Sequence, residues 1–168
     1  VGGGGSELAA NIDMRFGVFG KTVVNQMEVP IGILPGGSGT QRLPHLLGRG
    51  RAMEVILGGV DIDAETAERW GYLNRLFSAD AIDDAVMALA RRIASFPSAA
   101  VASAKASINA AALPGDAGLI EESFLFQQLL RTATATEAMQ AFLQAGGQTR
   151  AGELRVAELM TPAPTKAD

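Results

Sequence analysis

Two glutamates and two runs of glycine are the features of this 168-residue chain whose types and spacing suit chemistry. Gly2-Gly3-Gly4-Gly5 runs directly into Ser6-Glu7-Leu8, and Gln26-Met27-Glu28-Val29-Pro30 precedes Pro35-Gly36-Gly37-Ser38-Gly39-Thr40 by a few residues. Glycines entering a helix let backbone N–H groups face an oxygen, and those free donors together with the helix dipole stabilise an anion. Aimed at charge that develops during a reaction, such donors form an oxyanion hole. Two carboxylates beside them divide acid and base roles when their environments push their pKa values apart. Taken alone, each glycine run also reads as a turn, and glutamate is a residue type mostly found solvated at a surface. Gly20-Lys21-Thr22 imitates the end of a phosphate-binding loop, but that motif needs glycine five residues before its second glycine, and Arg15 stands there, which excludes nucleotide hydrolysis. His45 and Trp70 are expected to be packing residues, and Arg42 an ion-pair partner.

The elements that must position these groups change character near residue 80. Before it the chain is glycine-punctuated, with short β-rich runs at Thr22–Val24 and Ile31–Leu34. Ser38 or Thr40 is placed to cap a helix over Gln41–Leu47; Arg49–Leu57 follows, Asp63 caps Ala64–Trp70, and Tyr72–Phe77 reads as a buried strand. Beyond residue 80, Ile82, Ala85, Val86, Leu89, Ile93 and Phe96 recur at helical spacing, with Asp83 and Asp84 in the first turn and Pro97 as the stop. A second helix is expected over Ser98–Ala112, stopping at Leu113-Pro114-Gly115, and a longer one from Asp116 to Ala145, ending at Gly146-Gly147. The expected division is 1–78 for an α/β core with the chemical motifs, 79–160 for a helical region, and 161–168 for a flexible tail.

Composition narrows the function classes. With 14 basic and 18 acidic residues, a net charge of −4 argues against a broad nucleic-acid surface. No cysteine and one histidine exclude disulfides, thiolate metal sites and His-rich metal sites. The absence of cysteine fits a reducing compartment, and no apolar run approaches the roughly 20 residues of a membrane span, so a soluble cytoplasmic protein is expected. Aromatics are only 5% of residues, so the core must be aliphatic and rich in alanine.

The motifs, taken in order, resemble one family. Gly3-Gly4-Gly5-Ser6-Glu7-Leu8-Ala9, Asp13-Met14-Arg15-Phe16, the run from Glu28-Val29-Pro30 through Pro35-Gly36-Gly37-Ser38-Gly39-Thr40-Gln41-Arg42-Leu43-Pro44, Gly48-Arg49-Gly50-Arg51-Ala52 and Ala67-Glu68-Arg69-Trp70-Gly71-Tyr72-Leu73-Asn74 are similar to the enoyl-CoA hydratase/isomerase (crotonase) family. The resemblance covers residues 2–77 and continues more loosely through the helical part. It implies an α/β crotonase-like ββα spiral, here the later turns only, followed by a C-terminal helical trimerisation region, with assembly as a homotrimer or a dimer of trimers.

The resemblance also implies roles. Gly4 falls where the family's backbone N–H polarises the thioester oxygen, Glu7 matches the base that takes a proton from water, and Glu28 matches the residue that exchanges a proton with the α-carbon. Gly36 matches a residue lining the acyl pocket. The partner is then an acyl-CoA thioester, with coenzyme A part of the substrate and no separate cofactor. Two glutamates favour hydration; double-bond isomerisation or another enolate-stabilising reaction of the family is one alternative, and a truncated, non-catalytic assembly module is the other. Three departures accompany the match. The Glu7–Glu28 spacing is one residue longer than usual, the basic segment expected near the CoA phosphates reads Phe142-Leu143-Gln144-Ala145-Gly146, and the family's domain begins well before the GGG motif. Because the second oxyanion donor belongs to that earlier portion in the family, the 168-residue chain is expected not to turn over enoyl-CoA alone.

Overall fold

The computed structural model describes residues 1–112 and 115–160. Helix α1 (Gly3–Asn11) leads into β1 (Phe16–Val18) and β2 (Val23–Val24), followed by α2 (Gly39–Leu47), α3 (Arg49–Gly58), β3 (Ile62–Asp63), α4 (Ala64–Trp70) and β4 (Arg75–Phe77). The rest is helical: α5 (Ile82–Ala94), α6 (Ser98–Ala112), α7 (Asp116–Leu130), α8 (Ala133–Gln144), a 3₁₀ turn at Gly152–Leu154 and α9 (Val156–Leu159). The Leu113-Pro114 stop and the tail at 161–168 lie outside the described residues.

Two small sheets tie distant segments together. Strand β1 runs parallel to β4, with Phe16 opposite Arg75 and Val18 opposite Phe77. Strand β2 pairs antiparallel with β3, Val23 opposite Asp63 and Val24 opposite Ile62. Around them an aliphatic core of Val24, Leu43, Leu47, Val55, Ile56, Ala67, Tyr72 and Leu76 joins α2, α3 and α4. A second core joins Met27, Ile31 and Ile33 to Ala135, Phe142 and Val156, so α8 and α9 pack under the segment that carries Glu28.

Several expected elements form for the expected reasons. Asp63 caps α4, its carboxylate accepting the Thr66 N–H at 2.7 Å. Helices α5 and α6 start and stop as the periodicity and Pro97 dictate, and the chain bends by 109° between them. Among the described residues no single helix is long and apolar enough to cross a membrane.

Other expectations are corrected. Ile31–Leu34 is a turn rather than a strand: the N–H groups of Ile31 and Ile33 both donate to the Glu28 carbonyl, at 3.2 and 3.0 Å, and Gly32 sits at φ 82° against the backbone of Ala135. That positive φ, which glycine alone adopts cheaply, folds the chain back instead of extending it. The stretch 116–145 is two helices, because Thr132 stops α7 and caps α8 by accepting the Ala135 N–H at 3.2 Å. Within Tyr72–Phe77 only Arg75–Phe77 is strand, paired with β1, a short Phe-Gly-Val segment with little propensity signal of its own. Ser38 precedes α2 at φ 79° but its side chain makes no capping bond.

Candidate active site

Helix α1 is held rigidly at both ends. Its N-terminus is fixed by the Gly3 N–H, which donates to the Asn25 carbonyl at 3.2 Å. At its C-terminus the buried Arg15 side chain donates to the Ile12 carbonyl at 2.9 Å and to the Tyr72 carbonyl at 2.5 Å. The Tyr72 hydroxyl in turn donates to the Ser6 carbonyl at 2.9 Å and lies 3.0 Å from the Ser6 hydroxyl. With Ser6 locked, the adjoining Glu7 has a defined direction.

That direction is toward the second glycine loop. Glu7 is 7% exposed, and its Oε1 accepts the N–H groups of Gly37 at 2.7 Å and Gly39 at 2.9 Å. A methyl group at Gly37 would stand 2.9 Å from Glu7 Oε2, and one at Gly39 would stand 2.9 Å from Oε1 and 2.6 Å from Pro35 Cβ. Glycine is required there so that a carboxylate can close on the loop. Burial pushes the Glu7 carboxyl above its ordinary range; the two N–H donors oppose this and the charge of Glu122 adds to it.

Glu28 lies across from it, 6% exposed, on the turn that follows β2. Its Oε1 is 3.2 Å from where a Gly3 side chain would begin, and Gly3 sits one helical turn before Glu7, so the two carboxyls share one face of α1. The Glu28 Oε2 is fully buried and has no hydrogen-bond partner among the described residues. Burial raises its pKa to about 7, helped by the charge of Glu7 and opposed by the N–H groups of Glu28 and Met27. The surroundings thus shift the pair unequally: burial raises both carboxyls, with the Gly37 and Gly39 N–H groups opposing it at Glu7, and it carries Glu28 further, to about 7.

The backbone donors at the start of α1 divide as well. The Gly3 N–H is taken by the Asn25 carbonyl and the Gly5 N–H by the Gly2 carbonyl at 3.0 Å, whereas the Gly4 N–H meets no acceptor among the described residues. Gly4 is exposed and a side chain there would meet nothing within 4 Å. Gly36 adjoins the Glu7-binding residues and backs onto the ring of Phe126 in α7. Structure therefore brings Gly4, Glu7, Glu28 and the Gly36 loop to one region.

Three expectations about neighbouring residues change. The N–H groups of the second glycine loop face the protein's own carboxylates and are not free for a ligand: Ser38 and Thr40 donate to Glu122, at 2.5 and 2.8 Å. Glu122 carried no signal in the sequence, since one glutamate in a helix looks like any solvated one. Arg42 makes no ion pair among the described residues, and His45 is exposed rather than packed, whereas Trp70 does pack against the first core.

This α/β fold with two buried carboxylates beside helix-entry glycines defines a crotonase-like protein. The family model for enoyl-CoA hydratase/isomerase matches residues 1–149, and the chain belongs to that family. A short-chain-enoyl-CoA hydratase of Clostridioides difficile is 37% identical over 140 residues, covering 83% of this chain and 90% of that protein. The mitochondrial enoyl-CoA hydratase of Pongo abelii is 35% identical over 146 residues, 84% of this chain and 49% of the relative. Among solved structures, a family member from Streptomyces avermitilis has 39% identity and a TM-score of 0.91, covering 96% of this chain and 59% of its own. A carnitinyl-CoA hydratase from Mycobacterium avium has 29% identity and a TM-score of 0.78, covering 85% and 56%. Apart from the Clostridioides difficile protein, the chain spans about half the length of these curated relatives, 55% of a probable enoyl-CoA hydratase of Rhizobium meliloti among them.

Proposed function

We propose that these residues supply the acid–base pair of an enoyl-CoA hydratase, adding water across the 2,3 double bond of an acyl-CoA thioester. The observation that carries the reading is the unequal treatment of two neighbouring buried carboxylates. Glu7, its anion held by Gly37 and Gly39, takes a proton from water as the water oxygen bonds to C3. Glu28, protonated up to a pKa of about 7, gives a proton to C2. The electron pair of the double bond moves onto the thioester oxygen in between, where the unused Gly4 N–H is the donor that stabilises the enolate-like charge. Gly36 lines the acyl pocket. The reaction requires no separate cofactor, coenzyme A being part of the substrate.

Assembly belongs to the same reading. Helices α5 and α6 bury no residue fully, and Ile108, Ile120, Phe124 and Leu143 are exposed. Their apolar surface supports a division into a site-bearing core over 1–78 and a helical region over 79–160 that packs into a homotrimer or dimer of trimers.

The test places residues 1–149 into the Streptomyces avermitilis family member in place of its matching segment, and follows hydration and isomerisation of a short unsaturated acyl-CoA by product analysis. Hydration is expected. Glu28→Gln should abolish both reactions, and Glu7→Gln should suppress hydration most, each by about 10²–10⁴-fold. Near-normal hydration in either variant contradicts the role given to that residue.

A further inference from the structure

Outside the Glu7–Glu28 pair, the charged group placed least like a surface residue is Glu122. It is 3% exposed, and it is the one fully buried residue of α7, a helix whose Ile120 and Phe124 face outward. A carboxylate buried alone is costly, so its partners explain its place. They are the N–H groups of Ser38 at 2.5 Å and Thr40 at 2.8 Å, and the Thr40 hydroxyl. The N–H groups between and before these, Gly37 and Gly39, go to Glu7 Oε1. Four successive donors at the entry to α2 thus alternate between a carboxylate from α1 and one from α7. Helix α2 has no acidic residue in its own first turn, so these two carboxylates satisfy its positive end.

The alternation couples the two acids. A loop whose donors point to opposite sides cannot turn one pair without turning the other. Ser38 shows that the loop is held: it sits at φ 79°, a conformation a non-glycine residue keeps only when its surroundings enforce it. Its restraints are the Glu122 bond to its N–H and the Asn11 side chain, which donates to its hydroxyl at 2.6 Å. Glu7 Oε2, by contrast, accepts no hydrogen bond among the described residues and is the oxygen left for a water proton.

We propose that Glu122 is a positioning residue for Glu7: by holding Ser38 and Thr40 it keeps the Gly37 and Gly39 N–H groups on Glu7 Oε1, so that Oε2 alone faces the substrate water. This rests on the reading of Glu7 as the base. Charge repulsion between the two acids is tolerated because each has its own pair of donors.

The test uses the 168-residue chain without substrate. Backbone amide shifts of residues 37–40 are followed by NMR across pH in the unmodified chain and in Glu122→Gln, where one oxygen is replaced by an NH₂ that cannot accept from an N–H. Glu7→Gln identifies the part of each pH-dependent shift that reports Glu7; the other acids facing it, Glu28 and Glu122, are separated by Glu28→Gln and by Glu122→Gln itself. The expected result is that the Glu7-dependent shift at Gly37 and Gly39 falls by about half or more, and that their amide exchange quickens about tenfold, while the amides of α3 and α4 stay unchanged. Ser38 and Thr40 changing alone, with Gly37 and Gly39 unmoved, overturns the proposal, because Glu122 would then anchor only its own donors. Should Glu122→Gln fail to fold, Thr40→Val, which removes only the hydroxyl bond, is judged by the same criterion. Hydration lost in Glu7→Gln of the grafted enzyme, alongside unmoved glycine amides in Glu122→Gln of the 168-residue chain, sinks the role of Glu122 and leaves the base assignment intact. Hydration retained in Glu7→Gln of the grafted enzyme overturns the base assignment and, with it, the positioning role of Glu122.

Discussion

Glu28 keeps its proton to a pKa of about 7 because burial leaves the charged form poorly solvated, whereas an unfolded chain would release it near 4.5. The folded state therefore binds this proton more tightly. Its contribution to stability is fully present below pH 4.5 and is lost as pH rises through about 7, an effect of about 3 kcal/mol. Urea unfolding at pH 5 and pH 8 should show this loss in the unmodified chain and a much flatter response in Glu28→Gln; parallel behaviour of the two would contradict it. The glycines around Glu7 separate function from stability. In Gly37→Ala the three atoms nearest the new methyl all belong to the far end of the Glu7 side chain, the closest at 2.9 Å, so the fold should survive while hydration in the grafted enzyme falls by about 10²-fold through a displaced carboxylate. Gly39→Ala also meets Pro35 Cβ at 2.6 Å, which cannot swing away, and a thermal melt should register a loss of about 1–3 kcal/mol.

Helix α1 matters because it carries the Glu7 end of the pair, and its two ties predict what loosens it. Tyr72→Phe removes the hydroxyl shared with Ser6 and should cost about 1–2 kcal/mol in chemical denaturation, with the m-value unchanged. At this scale much was legible in the sequence. Asp63, Pro97 and the 3.6-residue periodicity marked α4, α5 and α6 because each signal is local. Ile31–Leu34 looked like strand by residue type, but the turn there is set by hydrogen bonds to Glu28 and by contact with Ala135, about a hundred positions away in the chain. The α7–α8 break hung on one threonine in an apolar run. Of the site, Glu7 and Glu28 were legible from motif order, whereas Glu122 was not, since burial of one helical glutamate depends on which loop the fold brings beneath it.

Over the whole molecule, the first core is built within residues 24–76, whereas the second joins the Met27–Ile33 segment to α8 and α9. The site likewise draws on distant segments: α1, the 25–40 segment and α7 all contribute to it. The apolar face left on α6 and α7 should be covered by further copies, and light scattering at micromolar concentration is expected to give a trimer or hexamer; a monomer contradicts this part of the account. The electrostatic separation of Glu7 from Glu28 is likewise a property of the complete packing, which buries both and sets the Gly37 and Gly39 donors against that burial at Glu7. Titrating the glutamate side-chain carboxyls of the folded chain by ¹³C NMR, assigned with Glu7→Gln and Glu28→Gln, measures that separation directly. A midpoint near 7 is expected for Glu28, with Glu7 ionising below it; a Glu28 midpoint near 4.5, or Glu7 ionising after Glu28, would mean that the packing does not separate the pair.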